Sequence, residues 1–199
     1  NQEIASHTYC HYYCTENGQT KLEFENDVSS MVSISSDKGL KPIKSIVFPR
    51  NEININYFDA LIKNGFTHFR GNPTHFFYSK GHRRMNFPIR LLRRLDSYFN
   101  ISGNQVSVKD VNYGLINVIG NRVLRPYTSN YILNFLMIRR IKNEMLYAAK
   151  NNMNYQIFWH PHNFGLNIDN NLENLSKIIN HYHFLEEKYG MTSSTISEI

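Results

Sequence analysis

Residues 44–51 read KSIVFPRN, a β-branched apolar run that stops at a proline. Such a run is the signature of a short buried strand, and the proline after it cannot continue a ladder. On its N-terminal side, residues 21–36 place Leu22, Phe24, Val28, Met31 and Ile34 at helical spacing, with Lys38-Gly39 as the stop. On its C-terminal side, 54–64 predicts a helix closed by Gly65, and 66–70 another short strand. Residues 88–99 predict a helix and 129–151 a long one that ends in asparagines. A strand follows at 156–159, then a last helix at 171–188, stopped by Tyr189-Gly190. Residues 3–6 read as the end of one more strand. Strand and helix in alternation predict an α/β fold, a mainly parallel sheet with helices packed outside it. Residues 71–88 and 103–128 do not follow that pattern and are expected to be long excursions.

The 199 residues are 41% hydrophobic and 14% aromatic, which excludes a chain too polar to bury a core. No apolar run approaches the roughly 20 residues of a membrane span. The net charge is +6, from 22 Lys+Arg against 16 Asp+Glu. A nucleic acid, an anionic glycan or an acidic membrane face would suit that sign. Its distribution points first to a solvated surface: Arg90, Arg93 and Arg94 alternate with Leu91, Leu92 and Leu95, as on the wet side of an amphipathic helix. Arg83-Arg84 and Arg139, Arg140 and Lys142 form further clusters. The two cysteines, Cys10 and Cys14, are expected as reduced thiols.

In α/β folds functional groups collect at the C-terminal ends of strands. After the first strand come His7 and His11, four positions apart. If the chain turns helical there, both imidazoles project from one face about 5–6 Å apart. They would then reach one ion at about 2.0–2.1 Å. Adding Cys10 and Cys14 makes a His/Cys cluster, but four ligands from one helix cannot surround a tetrahedral ion. After the second strand comes Arg50, a residue type able to pair with a carboxylate. After the last strand comes FWHPHNFG, residues 158–165, in which His160 or His162 could act as a general acid or base. The alternative is that His162 and Asn163 only cap the turn.

These segments resemble the NodB-like polysaccharide deacetylases (carbohydrate esterase family 4 type). EIASHTYCH, residues 3–11, resembles the family's second motif, His-Ser/Thr-x-x-His. The resemblance implies that His7 and His11 hold a divalent metal, usually zinc, with Thr8 supporting the loop. FPRN is similar to the third motif, which gives Arg50 the task of orienting a catalytic aspartate. Its order, Pro then Arg, is that of a branch found in bacterial surface-polysaccharide clusters. His160 takes the place of the histidine that protonates the leaving amine, with His162 as its rival. Trp159, His162 and Asn163 become substrate-binding candidates, a sugar ring stacking on Trp159 or Phe164. The implied substrate is an N-acetylated carbohydrate, with neither a nucleic acid nor a membrane span involved.

The resemblance runs from Glu3 to about Met191 and departs from the family at one point. The first motif, Thr-Phe-Asp-Asp, supplies the general base and the third metal ligand, and this chain has no adjacent Asp pair. Its six aspartates are Asp27, Asp37, Asp59, Asp96, Asp110 and Asp169. Family order places that motif ahead of His7. The expectation is therefore a single incomplete domain, a partial, distorted (β/α) barrel lacking its N-terminal strands, weak in metal binding and inactive unaided. Two other classes remain open: an inactive glycan-binding or scaffold domain of the same fold, and a basic nucleic-acid-binding domain with steep salt dependence.

Overall fold

The computed structural model describes residues 2–78 and 86–199. Arg83 and Arg84 lie outside the described residues. Helix α1 (Lys21–Asp37) starts at a capping box in which Thr20 and Glu23 satisfy each other's backbone amides. It buries Phe24, Val28 and Met31, but Leu22 is 67% exposed and Ile34 is exposed as well. The apolar stripe is thus narrower than the spacing implies, and Asp27 occupies part of the buried face.

Strands β1 (Ser45–Ile46), β2 (His68–Gly71), β3 (Asp110–Asn112) and β4 (Leu115–Ile119) form one sheet in the order β1-β2-β4-β3. β1, β2 and β4 are parallel, with Ile46 opposite Phe69 and Phe69 opposite Asn117; β3 returns antiparallel to β4. Ser6 extends the sheet beyond β1: its amide donates to the Ser45 carbonyl at 2.9 Å, and its carbonyl accepts from Val47 at 2.8 Å. After β4 the chain passes Gly120-Asn121 into β5 (Arg122–Val123), which runs parallel to β6 (Ile157–Phe158). The fold is mixed α/β, and the strands do not close into a barrel among the described residues.

Residues 103–128, expected as an excursion, contain β3, β4 and β5 and supply an interior strand of the sheet, β4. Three short strands broken by Tyr113-Gly114 and Gly120-Asn121 never present a window long enough for period-2 alternation to stand out. The helical expectations fare better. After a single 3₁₀ turn (Ile55–Tyr57) comes α2 (Phe58–Lys63); α3 is Phe87–Asp96 and α4 is Tyr131–Lys150. The short α5 (Pro161–Phe164) precedes α6 (Ile168–Tyr189). Gly190 ends α6 with φ 67°, a left-handed cap that glycine adopts without steric cost. No helix of the described residues is long and apolar enough to cross a membrane.

Two apolar clusters hold these elements. One packs α1 and α2 on the sheet through Phe24, Phe48, Phe58, Leu61, Phe69 and Leu115. The other packs α4 on α6 through Met137, Ile141, Met145, Ile178 and Leu185, with Phe164 beneath. A buried ionic quartet joins the parts. Arg122 donates to Asp96 Oδ2 at 2.5 Å and to both oxygens of Glu144 at 2.5 and 3.0 Å, while Arg140 reaches Glu144 Oε1 at 3.1 Å. Tyr78 and Ser102 add hydrogen bonds to Asp96, and Tyr155 adds one to Glu144. Burial works to raise the Asp96 carboxyl, but the Arg122 guanidinium beside it wins and holds it at about 2. Arg140, expected in a solvated cluster, is therefore a buried partner, 4% exposed.

The quartet fixes the C-terminal end of α3 through Asp96, and so sets which way that helix faces. The sequence expectation holds in part. Arg90 and Arg94 are exposed as expected but line a cavity together with Arg93, while Leu91 and Leu95 on the apolar side are also 45% and 37% exposed. Periodicity reports two faces of unlike polarity and cannot say which one meets the protein.

Candidate functional site

The cavity lies at the C-terminal ends of the parallel strands and has a volume of about 560 Å³, within the range of small-molecule sites. His7, His11, Arg50 and His160 all line it. The sequence therefore named four residues, 153 positions apart at the extremes, that the fold brings to one cavity. Trp159, His162 and Asn163 lie outside the lining. Trp159 stacks on Phe164 with ring centroids 5.5 Å apart, and Phe164 is itself buried, so Phe164 offers no free face to a sugar. His162 is exposed and stacks on His160 at 5.4 Å. The Asn163 amide donates to the His160 carbonyl and belongs to the turn of α5.

The segment from His7 to His11 is a loop, not the helical turn that the i, i+4 spacing suggested. Thr8 and His11 have φ of 62° and 60°, a left-handed conformation that costs a residue with a Cβ about 1–3 kcal/mol. Three sets of bonds hold it. Ser6 Oγ accepts from the Thr8 amide at 3.0 Å, and Thr8 Oγ1 accepts from Tyr12 at 2.8 Å. The buried Asp27 of α1 accepts from the Tyr9 and Cys10 amides, both at 2.8 Å. The imidazoles end with centroids 4.8 Å apart and planes at 66°. The predicted proximity is present, reached by a different backbone.

Each ring is oriented from behind. His7 Nδ1 lies 2.6 Å from the Val47 carbonyl, which fixes Nδ1 as the donor and leaves Nε2 available. His11 Nδ1 lies 3.0 Å from the Tyr13 hydroxyl. Tyr13 also carries the Arg50 guanidinium over its ring at 3.9 Å, and Arg50 reaches Glu16 at 3.4 Å. Arg50 and Asn51, the turn after β1, are left-handed too, each with φ 54°. Four strained residues thus sit at two neighbouring strand ends beside the cavity, where strain commonly marks function.

Arg70, at the end of β2, is the residue that sequence reasoning missed most clearly. Its guanidinium lies over the Phe158 ring at 4.2 Å and donates to Asn51 Oδ1 at 2.7 Å. Burial brings its pKa down to about 10. A Cβ on Gly120 would lie 2.9 Å from Arg70 Cδ, so glycine there makes room for the arginine stem. The only signal in the sequence was an arginine closing an apolar run. Asp27 had a comparable signal, a carboxylate among Phe24, Val28 and Met31 on a buried stripe.

No protein-family model matches the chain, and no curated protein matches it. What the cavity can do must come from its own chemistry. Neither cysteine is a nucleophile in waiting: both are free, Cys10 with a thiol pushed up by its hydrogen bond to Asp27, Cys14 buried and raised to about 12. Burial lowers His7 and His160, with further lowering from Arg70 on both. Burial lowers His68 and His181 as well.

These shifts fix a pH dependence. A histidine held below its ordinary value of 6.5 binds fewer protons folded than unfolded. The stability associated with its neutral form is therefore present above pH 6.5 and is lost as pH falls through the lowered folded values. The melting temperature should drop between pH 7.5 and 5, before carboxylates titrate, and replacing His68 by Gln should flatten that drop. A melting temperature level across this window would contradict the lowered values.

Proposed function

We propose that the cavity is the site of a metal-dependent N-deacetylase acting on an N-acetylated carbohydrate. The observation that carries this reading is the approach of His7 and His11, with His160 on the same cavity. Two imidazoles bound to one tetrahedral zinc through nitrogens at about 2.0–2.1 Å have centroids about 5 Å apart, and these stand at 4.8 Å. With Val47 and Tyr13 engaging the two Nδ1 atoms, both Nε2 atoms remain for the ion. His7 and His11 fit as two ligands. The described residues contain no group of three His, Cys, Asp or Glu able to hold a metal. On this reading the third ligand and the general base are the two aspartates that the family carries ahead of its histidine motif. The four-stranded sheet extended by Ser6, together with the β5–β6 pair, then belongs to a distorted (β/α) barrel of the NodB type.

A divalent ion in such a site, zinc in the first instance, acidifies a bound water and polarises the acetyl carbonyl. The protein's own groups do the rest. Arg50 and Arg70 give the cavity a positive wall that favours negative charge developing on the acyl oxygen. His160 donates a proton to the departing sugar nitrogen, and its lowered pKa makes the imidazolium a stronger acid. Tyr13 keeps His11 and Arg50 in place without touching the reacting atoms.

Metal content and acetate release, measured on the full-length protein with N-acetylglucosamine oligosaccharides, test the proposal. His7→Ala should lose at least half of the bound metal and reduce acetate release by about 100-fold or more. His160→Ala should keep the metal and lose the turnover. Wild-type turnover in His7→Ala would overturn the assignment. Glycan binding with neither metal nor acetate release would favour the second reading, an inactive glycan-binding domain, to which the missing third ligand among the described residues lends weight.

A further inference from the structure

Arginines from several elements line the cavity that holds the imidazoles. Arg70 comes from β2, Arg90 and Arg94 from α3, and Arg125 from the segment after β5. Among the described residues no aspartate or glutamate lines the cavity. The sequence of residues 79–85, SKGHRRM, contains no acid either. Arg122 also lines the cavity, but its charge is spent on Asp96 and Glu144. No carboxylate among the described residues pairs with Arg70, Arg90, Arg94 or Arg125.

We infer that this cavity receives a phosphoryl group beside the imidazoles, so that its carbohydrate substrate is a phosphorylated one. Several guanidiniums exceed what a single carboxylate can engage, since one fork already satisfies both of its oxygens. A phosphoryl dianion, with three oxygens, matches forks arriving from three elements. The arginines are held in advance: Arg70 by Asn51 and Phe158, and Arg125 by donating to Ser97 Oγ at 2.6 Å. Arg70 and Arg125 are partly buried without a carboxylate partner among the described residues, which is costly, and an anion relieves that cost. Arg70, Arg90, Arg94 and Arg125 line the same cavity as His7 and His160, which puts a bound phosphoryl group and the imidazoles within one small molecule's reach of each other. The concave shape, about 560 Å³, favours a compact ligand over a nucleic-acid backbone.

That the ligand is a sugar rests on the deacetylase reading; that it is phosphorylated rests on the arginines alone. Calorimetric titration of the full-length protein with inorganic pyrophosphate separates the two. Binding should be saturable in the micromolar to millimolar range and weaken with salt. Arg94→Gln, on an exposed side chain, and Arg90→Gln should each reduce affinity by threefold or more, and the pair by tenfold or more. Metal content and melting temperature should stay at the wild-type level. N-acetylglucosamine 1-phosphate and UDP-N-acetylglucosamine should both compete with pyrophosphate, the tighter of them distinguishing a monoester from a diphosphate, and uncharged N-acetylglucosamine should compete at least tenfold less well. Pyrophosphate binding that is undetectable, or unchanged within twofold in the double variant, overturns the inference, as does an oligonucleotide that outcompetes pyrophosphate. Failure of the metal in His7→Ala would leave these results standing, and the converse also holds.

Discussion

Glu144→Ala is expected to destabilise the protein by about 3–5 kcal/mol, enough to consume much of an ordinary domain's stability. Glu144 is fully buried and accepts from Arg122, Arg140 and Tyr155, with the Gln105 amide at 3.3 Å. The quartet of Arg122, Arg140, Asp96 and Glu144 is neutral as a whole. Removal of one carboxylate leaves two guanidiniums sharing Asp96, one positive charge too many in a site closed to water. Glu144→Gln keeps the volume and part of the hydrogen bonding but leaves the same excess charge, and should fall between wild type and Ala. Urea unfolding gives the order directly. A sharper arm replaces Arg122 and Glu144 together by apolar residues of similar volume, which leaves Arg140 with Asp96. That pair should cost less than Glu144→Ala alone, because desolvation, not the contact itself, dominates a broken buried pair. A loss below about 1 kcal/mol in Glu144→Ala would show that water reaches the quartet.

Asp27→Ala should release the histidine loop. The carboxylate makes two charge-assisted bonds at 2.8 Å, to the Tyr9 and Cys10 amides, on a loop that holds two residues in left-handed conformation. Loss of both acceptors is expected to cost about 2–4 kcal/mol. If the ion binds as proposed, affinity should fall by about 10–100-fold, the usual effect of removing a group that orients metal ligands. Asp27→Asn retains one acceptor oxygen and should lose less on both measures. Histidine resonances of His7 and His11, followed by NMR, report the loop independently of any activity. Unmoved resonances in Asp27→Ala, with unfolding within 0.5 kcal/mol of wild type, would show that Ser6 and Thr8 suffice to hold it.

The residues that line the cavity divide by how they could be seen. His7, His11, Arg50 and His160 each follow a short apolar run, so the rule that functional groups gather at strand ends was enough to name them. Arg90 and Arg94 read as the wet side of an amphipathic helix and are exposed; that this side also lines the cavity is not in the local pattern. Arg70 and Arg125, and Asp27 behind the histidine loop, escape local reading. Each acts through partners between 17 and 88 positions away, Cys10 and Phe158 among them, and no local pattern encodes such a partner.

Local sequence determined what local energetics control: the boundaries of α1, α4 and α6, set by the Thr20 and Asn130 caps and the Gly190 stop, and the strand-end positions of the histidines. Tertiary structure alone decided that residues 103–128 supply an interior strand of the sheet, that the arginine side of α3 lines a cavity, and that a loop rather than a helix pairs His7 with His11. Those outcomes rest on competition between distant partners, the quartet and Asp27 above all. Hydrogen bonds and ion pairs formed across long sequence separation override propensities worth only tenths of a kcal/mol per residue.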